Sequence, residues 1–182
     1  VDVVQLREKQ LDARPLLDRA RLALRVCRGL GVPFVLNDRP DLALEVGADG
    51  VHVGQDDAPP ALARRILGPD AIVGHSTRGG AQLTAAAKEP VDYVSVGPVL
   101  PTATHPTREA IGFDALREAA GAATVPFFVT GNVNPDTIGP MVQAGARRFV
   151  AVRWLTEADD PERAARQLRD AIDRQLETAE SA

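Results

Sequence analysis

The chain has 182 residues, of which 45% are hydrophobic, and its 25 acidic and 21 basic residues give a net charge of −4. These values are typical of one globular domain with a sizeable core, and they exclude a broad attraction for nucleic acid or for an anionic membrane. No apolar run is long enough to span a membrane, and the only cysteine, Cys27, cannot form an internal disulfide. We therefore expect a single cytoplasmic domain over residues 1–182.

Short apolar runs alternate with amphipathic stretches along the whole chain. Strands are predicted at residues 3–6, 33–36, 50–54, 71–74, 93–97, 126–129 and 149–152. Helices are predicted between and after them, at residues 13–29, 42–46, 60–67, 81–88, 114–120, 135–144 and 161–177. A long loop rich in proline and threonine occupies residues 98–111.

Most of the predicted strands are continuous apolar runs, which is typical of parallel strands covered by helices on both faces. Their alternation with helices predicts βαβ units with right-handed connections. Seven strands fit an open, doubly wound sheet, and they fit equally well an eight-stranded barrel that lacks its first β/α unit. No Gly-x-Gly-x-x-Gly follows a strand and no Gly-Lys-Ser/Thr loop occurs, which argues against dinucleotide and P-loop sites.

Polar or charged residues follow every predicted strand, and barrels place their active sites at these strand ends. Around the end of the first strand, Gln5, Arg7 and Lys9 lie on one side of an extended segment, because the strand period is two. Two cations at this place suit a diphosphate, since arginine supplies a bidentate fork and lysine a point charge. The simpler alternative is a solvated strand end.

The next two strand ends carry oxygen ligands. Asn37 and Asp38 follow the second strand, and Asp57 follows the third. Mg²⁺ commonly takes one or two carboxylates and completes its shell with phosphate and water, so this pair predicts a magnesium site beside the basic residues. The alternative is that each aspartate caps the helix that follows it.

Candidate phosphate-binding residues occur in the second half of the chain. Thr102, Thr104 and His105 lie in the long loop, and their hydroxyl, amide and imidazole groups suit a carboxylate or a phosphate. Gly131 precedes a helix whose amino terminus favours an anion, and Arg153 follows the last predicted strand. The alternatives are an ordinary surface loop and, for Arg153, an ion pair with the acidic run at 157–160.

The histidines at strand ends, His52 and His75, are interpreted as structural hydrogen-bonding groups, because a lone histidine at such a place is more often structural than catalytic. Ser76 and Thr77 follow His75 at the end of the fourth predicted strand.

Five motifs resemble the thiamine phosphate synthase family, in order along essentially the whole chain. They are Gln-Leu-Arg-Glu-Lys at 5–9, Asn-Asp-Arg at 37–39, the run Gly-Ala-Asp-Gly-Val-His-Val-Gly-Gln-Asp-Asp at 47–57, Ile-Val-Gly-His-Ser-Thr at 72–77, and the run from Asp92 to Thr104. The resemblance implies a (β/α)8 barrel. The family's first strand and helix have no counterpart here, so the resemblance implies a barrel without its first β/α unit.

The resemblance also implies a reaction, in which hydroxymethylpyrimidine diphosphate is joined to a thiazole phosphate and diphosphate is released. Mg²⁺ and the cations draw off the diphosphate, a pyrimidine-methyl cation forms, and the thiazole nitrogen attacks it. Fixed positive charges stabilise the departing diphosphate more than the bound substrate. The attacking nitrogen has a free lone pair, so no general base is expected.

Carried over by motif, the family's site residues fall into three sets. The pyrimidine diphosphate would be held by Gln5, Arg7, Lys9 and Asn37, with Arg7, Lys9 and Ser76 acting on the reacting centre or the leaving group. Mg²⁺ would be bound by Asp38 and Asp57. The thiazole phosphate would be bound by Thr102, Thr104 and Gly131.

Three positions depart from the family pattern. His105 stands where a lysine that would also touch the diphosphate is usual, and a histidine is only partly charged at physiological pH. Asn132 replaces the second glycine of a Gly-Gly pair, where its side chain would crowd the phosphate or rotate away. Arg153 replaces a small polar residue, and we hypothesise that it grips the thiazole phosphate directly.

Two other functions remain open from the sequence. A thiazole tautomerase-like branch shares the barrel but carries a catalytic histidine where this chain has Pro98. A non-catalytic phosphate-binding barrel would account for the changes at His105 and Asn132 and for the missing first unit, although a binder has no evident need for a leaving-group clamp. The partners expected are small molecules, and a homo-oligomer is compatible with the sequence.

Overall fold

A computed structural model describes residues 1–104 and 106–181. The described chain divides into two compact units. Unit 1 comprises Val1–Ser76 and Lys88–Tyr93, and unit 2 comprises Thr77–Ala87 and the described residues from Val94 onward. Both are built from parallel strands that alternate with helices, as expected for an α/β fold.

Unit 1 contains three β/α repeats and a fourth strand. Its elements are β1 (Val4–Leu6), α1 (Ala13–Gly29), β2 (Phe34–Asn37), α2 (Pro40–Val46), β3 (Gly50–Val53), α3 (Pro60–Leu67) and β4 (Ile72–Thr77), whose last residue belongs to unit 2. The strands pair in parallel in chain order, with Leu6 opposite Leu36, Asn37 opposite His52, and His52 opposite Gly74. This register brings the carboxyl ends of neighbouring strands to the same edge.

Local sequence explains the helices of unit 1. Helix α1 buries Leu16, Ala20, Leu24 and Cys27, which recur at the spacing of one helical face. Helix α2 begins with Pro40 in its first turn and ends at Gly47, whose φ of 73° is the left-handed conformation that glycine tolerates best. The buried face of α1 packs with the strand residues Phe34, Leu36, Val51 and Val73 in one apolar cluster.

Unit 2 contains the remaining elements. They are α4 (Gly80–Ala86), β5 (Tyr93–Val96), whose first residue belongs to unit 1, α5 (Gly112–Ala122), β6 (Phe127–Val129), α6 (Pro135–Gln143), α7 (Arg153–Thr156) and α8 (Pro161–Glu180). Strands β5 and β6 pair in parallel, with Ser95 opposite Phe128. Val99, Leu116, Ile138 and Met141 are fully buried in the apolar cluster of this unit.

Two predictions about the strands are wrong. The fourth strand does not stop at Gly74 but continues to Thr77, so Ser76 lies within β4 rather than after it. The seventh predicted strand is reduced to a single bridge between Val129 and Phe149, and Arg153 begins the short helix α7 instead of following a strand. No helix among the described residues is both long and apolar enough to cross a membrane.

Candidate active site

A pair of carboxylates lies at the carboxyl edge of unit 1. Asp38 directly follows β2, and its amide donates to the carbonyl of His52, with N and O 2.8 Å apart. Asp57 lies in the turn after β3, and its Oδ2 accepts from the amide of Gly54 at 2.8 Å. The two carboxyl groups lie close enough to shift each other's pKa. The strand ends therefore converge on two oxygen-rich groups, as the sequence predicted.

The two carboxyl groups differ in how readily they ionise. Burial raises the pKa of Asp38, and the neighbouring Asp57 carboxylate raises it further, while Lys9 opposes both. Burial acts in the same sense on Asp57, but hydrogen bonds from Asp38 and from the Gly54 amide outweigh it, so the pKa of Asp57 is lowered. Two close carboxyl groups that cannot both ionise freely form an arrangement that a cation relieves.

Lys9 places a positive charge on this pair. Its Nζ lies 2.7 Å from Oδ2 of Asp38, and the side chain remains about half exposed, at 47%. Arg7 is exposed immediately after β1 and has no hydrogen bond or ion pair with any residue that the structure describes. Asn37, at 9% exposure, ends β2 beside the same edge. Unit 1 therefore brings together Arg7, Lys9, Asn37 and the aspartates at neighbouring strand ends.

The donor set of this pair fits a hard divalent cation. Carboxylate oxygens are the ligands that Mg²⁺ prefers, and Mg²⁺ needs only one or two of them where a substrate supplies phosphate oxygens. Within residues 1–104 and 106–181, no group of three or more histidine, cysteine, aspartate or glutamate side chains is arranged to hold a metal. The pair therefore suits a cation that is shared with a ligand rather than one enclosed by protein.

We expect Asp38→Asn to raise the unfolding temperature of the metal-free protein at neutral pH by about 2–4 °C. A carboxyl whose folded-state pKa is raised stabilises the fold below its ordinary pKa of 3.8, and this contribution is lost as pH rises through the folded value. Asparagine removes that charge and tolerates the φ of 66° at this position. Thermal unfolding at pH 7 and pH 4 tests this, because the gain should shrink in acid. A variant that is less stable than the parent at pH 7 would contradict it.

A hydrogen-bonded chain of side chains lies beside the carboxylates, and the sequence did not predict it. His52, which is 6% exposed, has its Nδ1 2.9 Å from the Tyr93 hydroxyl and its Nε2 2.9 Å from Oγ of Ser76. The Gln5 side chain is hydrogen-bonded to the Tyr93 hydroxyl. Burial lowers the pKa of His52 to about 4, so the ring is neutral at physiological pH. The polar residue His52 in the apolar strand β3 was one signal for these hydrogen bonds.

His75 has a separate set of contacts. The Gln55 amide nitrogen lies 2.7 Å from Nε2 of His75, and it also donates to the carbonyl of Ser76 at 2.6 Å. The Nδ1 atom of His75 is buried and has no hydrogen-bond partner among the described residues. Both histidines therefore make the structural hydrogen bonds that were expected of them, and His52 also contacts a predicted site residue.

Unit 2 holds the second set of predicted residues. Thr102 and Thr104 are half-buried and adjacent, with the Thr104 amide 3.3 Å from Oγ1 of Thr102. His105 lies outside the described residues. Arg153 is exposed, and its Nε and Nη2 donate to Oε2 of Glu157 at 3.1 and 3.0 Å. The ion pair that was the alternative for Arg153 is therefore present.

Gly131 is buried against the long loop, whereas the next residue, Asn132, has an exposed side chain. Asn132 is exposed, and its Oδ1 accepts from Asn134 at 3.3 Å. Asn134 also caps α6, because its side chain accepts from the Asp136 amide at 3.0 Å. The helix terminus is thus partly satisfied by its own cap. A phosphate in this segment would rely on the backbone around Gly131.

We expect Gly131→Ala to destabilise the protein by about 2–4 kcal/mol. Gly131 has a φ of 105°, and a Cβ atom there would lie 2.6 Å from the amide nitrogen of Val99 and 2.9 Å from the Leu100 carbonyl oxygen. Denaturant unfolding measures the loss. Gly121→Ala is the matched control, because a Cβ atom meets nothing within 4 Å in helix α5. Equal stabilities of the two variants would refute the close approach at Gly131.

Known proteins share both the sequence pattern and the fold of this chain. A family model described as thiamine monophosphate synthase matches residues 1–155. A thiamine-phosphate synthase of Mycobacterium sp. (strain KMS) is 45% identical, over 94% of this chain and 80% of that relative. A thiamine-phosphate synthase of Thermus thermophilus is 47% identical, over 94% of this chain and 83% of that relative.

Solved structures give the same result. A thiamine phosphate pyrophosphorylase from Pyrococcus furiosus superimposes with a TM-score of 0.88 at 27% identity, covering 96% of this chain and 84% of that one. A 3-hexulose-6-phosphate synthase superimposes at 0.70 with 22% identity, which shows a shared fold alone. The match to the family model over most of the chain decides the assignment: this chain belongs to the thiamine monophosphate synthase family.

Proposed function

We propose that this member of the family is a transferase that joins hydroxymethylpyrimidine diphosphate to a thiazole phosphate, with release of diphosphate. The observation that carries the proposal is the cluster of Lys9, Asp38 and Asp57 at the carboxyl edge of unit 1. Two carboxylates and a cation in contact suit a metal-bound diphosphate. The family membership and the identity to thiamine-phosphate synthases support the same reaction. We also propose the (β/α)8 barrel that the family resemblance implies as the architecture of the working enzyme.

The residues of unit 1 would bind the pyrimidine diphosphate. Arg7 offers a fork of N–H donors that suits phosphate oxygens, and Lys9 a compact charge. Asn37 would donate to a diphosphate oxygen, and Gln5 and Ser76 would contact the pyrimidine end. Asp38 and Asp57 would hold Mg²⁺, which supplies charge that neutralises the diphosphate as its bond to carbon breaks.

The chemical step needs charge stabilisation rather than proton transfer. When the methylene–oxygen bond breaks, the electron pair leaves with the diphosphate and a pyrimidine-methyl cation remains. Arg7 and Lys9 stabilise the growing negative charge on the leaving group, so they lower the barrier more than they tighten substrate binding. The thiazole nitrogen then donates its lone pair to the methylene carbon. No proton is lost from that nitrogen, so the reaction needs no general base.

The residues of unit 2 would bind the thiazole phosphate. The hydroxyls of Thr102 and Thr104 and the backbone around Gly131 are hydrogen-bonding groups of the type that hold a phosphate. His105 would add charge only when it is protonated.

One incubation tests the proposed function. The protein is mixed with both substrates, with and without Mg²⁺, and thiamine phosphate and diphosphate are quantified by mass spectrometry. Equimolar formation of both products in the presence of Mg²⁺ is expected. If neither product forms while the thiazole phosphate binds measurably in calorimetry, the chain is a phosphate-binding barrel and the proposal is wrong.

Arg153→Ala is expected to raise the Michaelis constant for the thiazole phosphate about tenfold, which is the effect of losing one charge-assisted hydrogen bond. Arg153 would have to leave Glu157 to reach the phosphate, and an exposed ion pair of this kind is worth about 0–1 kcal/mol. Steady-state kinetics at saturating pyrimidine substrate measures the constant. Glu157→Gln breaks the same ion pair but keeps the arginine, so its constant should not rise. An unchanged constant in Arg153→Ala would show that the arginine serves only the ion pair.

A further inference from the structure

The imidazole of His52 is enclosed and bonded at both ends. Its Nδ1 is 2.9 Å from the Tyr93 hydroxyl and its Nε2 is 2.9 Å from Oγ of Ser76. With both nitrogens engaged by side chains, the ring is not placed to exchange protons with a substrate. Its geometry is that of a connector between two hydroxyl groups.

The neighbouring strand β4 has a glycine, Gly74, where a larger residue would collide with the His52 and Tyr93 side chains. Gly74 lies opposite His52 in the β3–β4 register. A Cβ atom on Gly74 would overlap the Tyr93 ring and would lie 2.5 Å from Nδ1 of His52. The two rings lie with their centroids 5.4 Å apart and are tilted by 30°. Glycine at this place therefore leaves room for the Tyr93–His52 hydrogen bond.

The donor and acceptor roles of the two His52 nitrogens are coupled. A neutral imidazole donates through one nitrogen and accepts through the other, so the state of one end fixes the state of the other. If the Tyr93 hydroxyl donates to Nδ1, Nε2 must donate to Ser76. If Tyr93 accepts, Nε2 must accept from Ser76. Tyr93 therefore constrains the hydrogen bond that Ser76 makes with His52, although the two hydroxyl groups are held at opposite ends of the ring.

We propose that His52 and Tyr93 are positioning residues, which act through Ser76 by fixing where its hydroxyl lies and in which direction it hydrogen-bonds. The inference deepens the proposed function and rests on it, since Ser76 would contact the pyrimidine substrate. A displacement of about 1 Å in a contact of this kind can cost about 100-fold in rate.

Two replacements of His52 separate positioning from packing. Asparagine mimics Nδ1 and keeps the partner of Tyr93, whereas glutamine mimics Nε2 and keeps the partner of Ser76. We expect kcat to fall about 10–100-fold in His52→Asn. His52→Gln should retain a kcat at least about five times higher than His52→Asn, with similar unfolding temperatures and no change in the Michaelis constant for the thiazole phosphate. Equal kcat values in the two variants would overturn the proposal.

A double-mutant cycle tests whether His52 acts through Ser76. In a Ser76→Ala background, His52→Asn should lower kcat by less than about twofold, because the group that it positions is already gone. Independent effects, in which the two losses multiply, would overturn the proposal. In that case wild-type protein would still make thiamine phosphate, so the proposed function would survive.

Nitrogen NMR of the imidazole gives a readout that does not require turnover. We expect His52 in the intact protein to show one protonated and one unprotonated nitrogen at pH 7, and Tyr93→Phe to change that distribution. Two tautomers in equal amounts in the parent, unaffected by Tyr93→Phe, would overturn the positioning role even in a protein without synthase activity. Absence of synthase activity with a single tautomer would instead refute only the proposed function.

Discussion

Asp57→Asn is expected to lower kcat by about 100–1,000-fold, the range observed when one fixed electrostatic contact to a transition state is removed. Asp57 is the partner whose pKa is lowered, so it ionises more readily than Asp38. Asparagine keeps the volume and can still accept from the Gly54 amide through Oδ1, so the turn should survive. The variant should also require a higher Mg²⁺ concentration for half-maximal activity.

The neighbouring aspartate supplies a matched control. Asp56 is exposed and precedes Asp57 directly, so Asp56→Asn removes the same charge from the same turn. Its kcat and Mg²⁺ requirement should stay within about twofold of the parent, because an exposed charge is screened by water and salt. If Asp57→Asn behaves like Asp56→Asn in a Mg²⁺ titration, Asp57 serves only to cap its turn.

Local signals explain which elements could be predicted from the sequence. Helices α1 and α3 have the predicted bounds, because an apolar period runs through each, proline and glycine flank α3, and glycine marks the end of α1. The seventh strand was not predicted correctly. An apolar run at 149–152 satisfies the strand pattern, but a strand also needs neighbours to pair with, and here only Phe149 makes a bridge. That requirement is not local and cannot be deduced from the run itself.

In the candidate site too, features with a local signal could be predicted, and those that depend on strand pairing could not. The contact of Asp38 with Asp57 was predictable, because parallel strands place their carboxyl ends at one edge whatever the details of packing. The hydrogen bonds that link Tyr93, His52 and Ser76 were not predictable from the sequence. They depend on which residues of β3 and β4 stand opposite each other. His52 faces Gly74, and this missing side chain leaves the space that Tyr93 fills. A glycine in a strand is a general sign of a close approach, but it does not identify the partner.

Lys9→Met should have the second large effect, a fall in kcat of about 100-fold or more. The ammonium group lies 2.7 Å from Asp38, in contact with the proposed metal pair, so it is placed where negative charge would grow on the leaving diphosphate. Methionine preserves most of the apolar stem and removes only the charge. The Michaelis constant for the thiazole phosphate should change little, because that substrate is assigned to other residues.

The same substitution should also shift the pH dependence. Lys9 lowers the pKa values of both Asp38 and Asp57, so removing its charge favours their protonated forms and both pKa values should rise. Activity requires the ionised carboxylates, so it should be lost at a higher pH as the solution is acidified. The acid limb of the kcat/KM profile should therefore shift to higher pH. Lys88→Met is the matched control, because it removes the chain's other lysine from an exposed position. If Lys9→Met has the same kcat and the same acid limb of the kcat/KM profile as Lys88→Met, Lys9 has no part in the carboxylate site. A cation in contact with the two aspartates must affect at least the ionisation of Asp38.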